Sequence, residues 1–142
     1  MLDRLQRAVL LLQTFLLLLI TRLGLALLSF QTLRALLEKL SGLWLLRRST
    51  PPNPAATPVT IRRIIWAVEK SARLMPGGAK CLAKALVTQT LLERQGCACE
   101  FKIGVAKSAE GALEAHAWIE HQGFILMGNL PDLSRYKSFP PL

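Results

Sequence analysis

The first 46 residues are dominated by leucine and other apolar residues, interrupted at intervals by single charged residues. No charged residue occurs from 8 to 21, a run of fourteen residues that Arg22 ends, and a second uncharged stretch follows from 23 to 33. This pattern predicts one or two unusually apolar helices. Fourteen residues are fewer than the roughly 20 that cross a bilayer. Arg22 would lie inside any longer span, at a cost of roughly 2.5–3.5 kcal/mol.

We therefore expect residues 1–46 to form a buried helix or helical hairpin that packs on the rest of the chain. A peripheral membrane contact through the same residues is the alternative. A signal peptide is disfavoured because no small-residue cleavage site follows in the expected place. Residues 47–58 then contain four prolines, which cannot continue a helix, and they predict a linker or surface loop. The remaining residues, 59–142, hold the candidate chemistry.

The pattern in residues 59–142 changes from helical spacing to alternation. It predicts, in order, a helix capped by Thr60 and ended by Pro76, a helix over 79–95, a strand over 97–105, and a hairpin that joins 115–120 to 124–127. Gln122 and Gly123 form the predicted turn of the hairpin. The tail from Pro131 onward is expected to follow the surface. The fold class is therefore α+β, with a small antiparallel sheet after the helices.

Charge and cysteine content narrow the function classes. The net charge of +9 is spread along the chain, with +5 over residues 1–50 and +4 over 51–142. No run of Lys or Arg exceeds two residues, and aromatic residues make up only 6%, so nucleic-acid binding is disfavoured. Three cysteines without a disulfide-type spacing favour a reducing, cytoplasmic environment. Two histidines without a metal-ligand motif predict no metal site, and no cofactor is expected in the chain.

Cys81 is the candidate nucleophile because it falls in the first turn of the predicted helix 79–95, after Gly77-Gly78. The free N–H groups and the dipole of a helix start stabilise a thiolate, and they can also bind an oxyanion. A cysteine on a helix is more often a small core residue, so this position alone is weak support. Cys97 and Cys99 lie on the predicted core face of a strand and are interpreted as buried thiols.

His116 strengthens the interpretation of Cys81 as a nucleophile. It lies on a predicted strand and shares one face with Trp118 and Glu120. A nucleophile at a helix start and a histidine on a following strand form the arrangement in which an imidazole acts as general base. A satisfied structural histidine is the competing interpretation. His121 is expected to be solvent-exposed in the turn.

The predicted hairpin also proposes a group that orients the base. With Gln122 and Gly123 as the two loop residues, His116 falls opposite Asn129, about 5 Å away between Cβ atoms. Asn129 would then accept the imidazole N–H, as in a Cys-His-Asn system. Asp132 is the second choice if the chain bends after Pro131. Glu120 is too distant along the strand, at roughly 13 Å.

The segments PGGAKCLAKALVTQTLLERQG, CEFKIGVAK and AHAWIEHQGFILMG resemble the lasso-peptide leader peptidases, the B proteins of lasso-peptide biosynthesis, which have a transglutaminase-like fold. The resemblance covers residues 61–139, and the apolar N-terminal helices resemble those that open the stand-alone members. It implies a cysteine peptidase with Cys81 as nucleophile and His116 as base. Family members often carry an aspartate where this chain has Gly128, followed by Asn129.

The resemblance further implies that the substrate is a ribosomally made precursor peptide, whose leader is removed before a partner cyclase closes the macrolactam. Residues 1–60 are too apolar and helical for the leader-recognition domain of fused members, so a separate leader-binding protein is expected. Whether the assembled system needs ATP stays open. Two other functions are compatible with the residues: an acyl transferase that uses an amine in place of water, and a non-catalytic, membrane-associated adaptor.

Overall fold

The computed structural model describes residues 2–45 and 57–140, and within them it contains four α-helices and a four-stranded antiparallel sheet. The elements are α1 (Leu2–Leu27), α2 (Phe30–Leu45), α3 (Pro58–Leu74), α4 (Cys81–Arg94), β1 (Glu100–Lys107), β2 (Leu113–His121), β3 (Phe124–Met127) and β4 (Lys137–Ser138), with a short 3-10 helix at Leu133–Arg135. The helices precede the sheet in the chain. The predicted α+β class is confirmed.

The two N-terminal helices belong to the same core as the rest of the domain. Leu18 of α1 and Leu33 of α2 are fully buried and join a cluster that also contains side chains of α3, α4 and the sheet. The helices separate at Ser29, whose hydroxyl accepts a hydrogen bond from the backbone N–H of Thr32 at 3.3 Å. The predicted packing of these helices on the rest of the chain is thus observed. Residues 46–56, most of the predicted linker, lie outside the described residues, and the division at 47–58 stays a prediction.

By length and composition α1 could also cross a membrane, since an 18-residue window within residues 3–27 has a mean hydropathy of 2.1. A signal sequence or the core helix of a soluble protein would pass the same criterion, so composition does not assign a compartment. The uncharged run of fourteen residues is shorter than this helix, which continues through Arg22 to Leu27.

Local sequence signals set the ends of α3 and α4. Thr57, and not Thr60 as predicted, caps α3: its hydroxyl accepts a hydrogen bond from the backbone N–H of Thr60 at 3.3 Å. Pro58 follows at a position where its missing N–H costs no helical bond. α4 begins at Cys81 and has buried residues along its whole length, so it is the central helix of the domain.

The sheet has the strand order β3-β2-β1-β4. β1 begins at Glu100, so Cys97 and Cys99 lie in the segment before the strand and not within it, which corrects the predicted strand over 97–105. The described part of the tail lies at the surface as predicted, and within it Lys137–Ser138 pairs with β1 as an unpredicted fourth strand. Ala117 and Ile119 of β2 point into the core, whereas the residues that alternate with them lie on the other face of the sheet.

The hairpin between β2 and β3 has the predicted turn but not the predicted register. Gln122 and Gly123 both have positive φ, 49° and 81°, as a two-residue hairpin turn requires. His121 pairs with Phe124, but an irregularity next to Ile119 places Met127 opposite Ile119. One extra residue in β3 shifts all later pairs, so the predicted pairing of residue 116 with residue 129 is wrong.

Candidate active site

Cys81 is the first residue of α4 and its side chain is partly exposed. The residue before it, Lys80, has an extended backbone and makes no side-chain hydrogen bond to the helix start. The backbone N–H groups of the first turn of α4 therefore have no side-chain cap. Such N–H groups favour a negative charge beside them, on a thiolate or on an oxyanion.

His116 of β2 is almost completely buried, at 9% exposure. Its ring lies against the rings of Trp118 and Tyr136, with centroid distances of 6.2 and 5.6 Å. Gly104 lies opposite His116 on β1 and leaves space for the side chains of Trp118 and Tyr136. A Cβ atom at Gly104 would lie 2.9 Å from the Trp118 ring and 3.0 Å from Tyr136 Cβ. The aromatic rings and Gly104 together restrict the orientation of the imidazole.

A backbone carbonyl fixes the tautomer of His116. Its Nε2 lies 2.6 Å from the carbonyl oxygen of Gly128. A carbonyl oxygen only accepts hydrogen bonds, so in the neutral ring Nε2 carries the proton and Nδ1 carries the lone pair. Nδ1 has no hydrogen-bond partner within residues 2–45 and 57–140. The imidazole is thus held on one nitrogen and available as a base on the other.

Gly128 occupies the position at which the leader peptidases that the chain resembles often carry an aspartate. Its φ of 84° favours glycine, and a Cβ atom on it would lie 2.6 Å from the carbonyl oxygen of Ala117. With this backbone no side chain fits there. The carbonyl of Gly128 therefore takes the orienting position that the predicted register assigned to the side chain of Asn129.

The two predicted orienting side chains make other contacts or none. Asn129 is exposed and has no hydrogen-bond partner in the described part of the chain. Asp132 accepts a hydrogen bond from Nε of Arg135 at 2.9 Å and forms an ion pair with the same guanidinium. Neither side chain bonds to His116.

The face of β2 that holds His116 also carries a polar network that the sequence interpretation missed. Trp118 Nε1 donates to one oxygen of Glu120 at 2.8 Å, and Lys102 Nζ donates to the other oxygen at 2.7 Å. The hydrogen bond from Lys102, followed by that from Trp118, lowers the pKa of the Glu120 carboxyl. The same ion pair raises the pKa of Lys102. This network holds Trp118 in the orientation that contacts His116.

Cys81 and His116 lie on elements that pack together, since α4 contacts β2. No hydrogen bond joins the thiol to the imidazole within the described residues. The helix and the strand therefore pack together, but the thiol and the imidazole are not hydrogen-bonded. Hydrogen bonds between catalytic groups are often long without substrate and shorten in the complex.

A cysteine–histidine contact forms elsewhere, between Cys97 and His121. Cys97 Sγ is 3.6 Å from Nδ1 of His121, and the same Nδ1 donates to the carbonyl oxygen of Ala98 at 2.6 Å. His121 is the last residue of β2 and partly buried, not exposed as predicted. Because Nδ1 carries a proton, it does not accept one from the thiol. Burial raises the pKa of Cys97.

Cys99 is the remaining cysteine of the chain. Burial, together with the charges of Glu93 and Cys97, raises its pKa to about 12. The predicted interpretation of both Cys97 and Cys99 as core thiols agrees with these surroundings, although Cys99 is only half-buried. Within the described residues, no group of three or more His, Cys, Asp or Glu side chains could hold a metal ion.

A cavity of about 580 Å³ lies beside Cys97 and His121, away from Cys81 and His116. Its walls are mainly apolar and come from the start of α3 and from the hairpin; they include Ile61, Arg62, Ile65, Phe124 and Leu126. The cavity and the candidate catalytic pair therefore belong to different parts of the domain.

Comparison with known proteins agrees with this architecture. The family model of the transglutaminase-like superfamily matches residues 24–140. No curated protein and no solved structure matches the chain at a significant level. The match includes α2, α4 and all four strands, and it therefore extends well beyond the segment that holds Cys81 and His116. The chain belongs to the transglutaminase-like superfamily.

Proposed function

We propose that this chain is a cytoplasmic cysteine peptidase that removes the leader from a ribosomally synthesised lasso-peptide precursor. The superfamily includes cysteine peptidases and acyltransferases. Membership therefore supports thiol chemistry but does not decide whether water or an amine accepts the acyl group. The observation that carries the proposal is an imidazole with one nitrogen fixed by Gly128 and the other free, on a strand that packs against the helix beginning at Cys81.

In the proposed mechanism, Nδ1 of His116 accepts the proton of the Cys81 thiol. The thiolate attacks the carbonyl carbon of the scissile peptide bond, and the carbonyl electrons move to oxygen. Backbone N–H groups in the first turn of α4 bind this oxyanion. The imidazolium then gives its proton to the leaving amine, which leaves an acyl group on the sulfur.

Hydrolysis completes the reaction. Nδ1, again neutral, accepts a proton from water as the oxygen of that water attacks the thioester, and the proton returns to the Cys81 sulfur. The carbonyl of Gly128 accepts the Nε2–H bond throughout, and this bond strengthens when the ring becomes positively charged. The orienting function of this carbonyl corresponds to that of the buried carboxylate or amide in other triads.

The partners follow from the same proposal. The precursor peptide is the substrate, a separate leader-binding protein presents it, and a lasso cyclase uses the released core peptide. The residues that support this finer assignment are those around Cys81 and His116, in the segments that resemble the leader peptidases.

The test uses the full chain with a lasso precursor and the leader-binding protein encoded beside it, and product masses are measured. Cys81→Ala and His116→Ala should each abolish cleavage. Cys99→Ala is the matched control, because it removes a thiol that burial keeps protonated and should leave cleavage within about twofold of wild type. Cleavage that persists in Cys81→Ala, with unchanged circular dichroism, would contradict the proposal.

The same assay separates hydrolysis from acyl transfer. With a primary amine in excess, a peptidase releases the free carboxylic acid, whereas an acyl transferase gives a product whose mass includes the amine. A dominant amine adduct would assign the chain to acyl transfer while keeping Cys81 as nucleophile.

A further inference from the structure

One face of α1 is apolar and open to solvent along nearly the whole helix. Eight side chains form it, each between 37% and 81% exposed: Leu5, Val9, Leu12, Leu16, Leu19, Ile20, Leu23 and Leu27. At 3.6 residues per turn they lie within a sector of about 100°, over a length of about 33 Å. We call this surface the outer stripe. A soluble domain normally turns such a face toward its core.

The opposite face of α1 is built into the domain. Thr14 and Leu18 are fully buried. The backbone carbonyl of Leu11 accepts a hydrogen bond from the Ser71 hydroxyl at 3.4 Å. At the start of the helix, Asp3 forms an ion pair with an arginine of α3 at 3.1 Å. Crossing a bilayer would remove all these contacts, so the structure favours a helix that lies on a surface with only its outer stripe covered.

The composition of the outer stripe favours lipid over a protein partner. All eight residues are leucine, isoleucine or valine, without the aromatic residues and arginine that carry most of the binding energy at protein interfaces. Acyl chains need only apolar area, which these side chains supply. Large exposed apolar patches on soluble domains mark protein or membrane contacts.

The charge around the outer stripe specifies the kind of lipid. The chain carries a net charge of +9. α3, which packs beside α1, has four exposed basic side chains, Arg62, Arg63, Lys70 and Arg73, of which Arg63 is the one that pairs with Asp3. The indole of Trp66 on the same helix is 45% exposed, and such rings favour the boundary between lipid and water. A second copy of the chain would bring the same positive charge, whereas anionic headgroups attract it.

We propose that the outer stripe of α1 docks on an anionic lipid surface, with α1 parallel to the membrane and the basic side chains of α3 near the headgroups. This inference is independent of the peptidase activity, because it rests on α1 and α3 alone.

The experiment is sedimentation of the full chain with vesicles, either of phosphatidylcholine alone or of phosphatidylcholine mixed equally with phosphatidylglycerol. The chain should sediment with the mixed vesicles and more weakly with phosphatidylcholine alone. The double variant Leu12→Gln, Leu16→Gln should partition at least about tenfold less, because two apolar side chains no longer enter the acyl region. The double variant Leu113→Gln, Phe139→Gln changes two exposed apolar residues away from α1, one at the start of β2 and one directly after β4, and should partition like wild type.

A charge variant tests the headgroup contribution. Lys70→Glu with Arg73→Glu should lower binding to the mixed vesicles by roughly fivefold or more per residue and leave binding to phosphatidylcholine unchanged. Circular dichroism checks the fold of each variant; if the Leu12, Leu16 variant is unfolded, Leu23→Gln with Leu27→Gln replaces it.

Three results would overturn the inference. The first is no sedimentation with either vesicle. The second is equal partition of wild type and a folded stripe variant. The third is a wild-type chain that does not bind vesicles and is a dimer in light scattering, whereas the Leu12→Gln, Leu16→Gln variant is a monomer. That result would assign the outer stripe to self-association.

Discussion

Replacing Gly128 with alanine tests the position that fixes the candidate base. Gly128 has a φ of 84°, which costs a residue with a Cβ atom roughly 1–2 kcal/mol. The new Cβ atom would also lie 2.6 Å from the carbonyl oxygen of Ala117 and 3.0 Å from Trp118 Cβ. The nearest of these is a backbone atom that cannot rotate away, so we add about 1–3 kcal/mol for overpacking. The total destabilisation is about 2–5 kcal/mol.

Gly111 provides a matched control. Its φ is 85°, but a Cβ atom there would meet nothing within 4 Å. Gly111→Ala should therefore carry the conformational cost alone, and any effect of alanine on the unfolded chain is shared by both variants. Gly128→Ala should be less stable than Gly111→Ala by about 1–3 kcal/mol, which corresponds to a Tm lower by roughly 3–10 °C for a domain of this size.

The assay is thermal unfolding followed by circular dichroism, together with NMR of isotope-labelled histidine at a temperature where both variants are folded. Wild type and Gly111→Ala should show His116 with the proton on Nε2. Gly128→Ala should shift that signal, because the carbonyl that accepts the bond has moved. Equal Tm values for the two variants, or an unchanged His116 signal, would show that Gly128 does not hold the imidazole by this close approach.

Three further predictions follow from the candidate site and its surroundings. Asn129→Ala should leave precursor cleavage within about twofold of wild type, since no side-chain bond is lost; a loss of a hundredfold would restore Asn129 as the orienting residue. Alkylation by iodoacetamide at neutral pH, located by peptide mass mapping, should label Cys99 far more slowly than Cys81, because the pKa of Cys99 is raised to about 12; comparable rates would refute this. Stability should fall as the pH drops through the lowered pKa of Glu120, because a carboxyl with a lowered folded-state pKa stabilises the fold only while it is ionised; the Glu120→Gln variant should lose that part of the pH dependence in urea unfolding, and an unchanged profile would contradict the Lys102–Glu120 pair.

Local sequence determined the helices, the hairpin turn and the candidate pair. Periodic apolar residues predicted the helices, and Gln122-Gly123 predicted the hairpin turn, because these preferences depend on residues close together in the chain. The same reasoning placed Cys81 in the first turn of a helix and His116 on a strand. Both placements are observed.

Tertiary structure decided which group orients His116. A single extra residue in β3 shifted the hairpin register, and no local signal in FILM distinguishes a bulge from a regular strand. The acceptor is a backbone carbonyl, a group that every residue carries, so only the folded chain could assign it to Gly128. β4 was not predicted for a related reason, because its two residues form a strand only by pairing with β1.

The same distinction applies to α1. The sequence determined a helix that is apolar nearly all round, and composition could not say which side would be covered. Packing against α3 and α4 buried the side that contains Leu18 and left the leucines of the outer stripe in solvent. Burial is a property of neighbours distant in sequence, so the exposed stripe became visible only once those helices were in place.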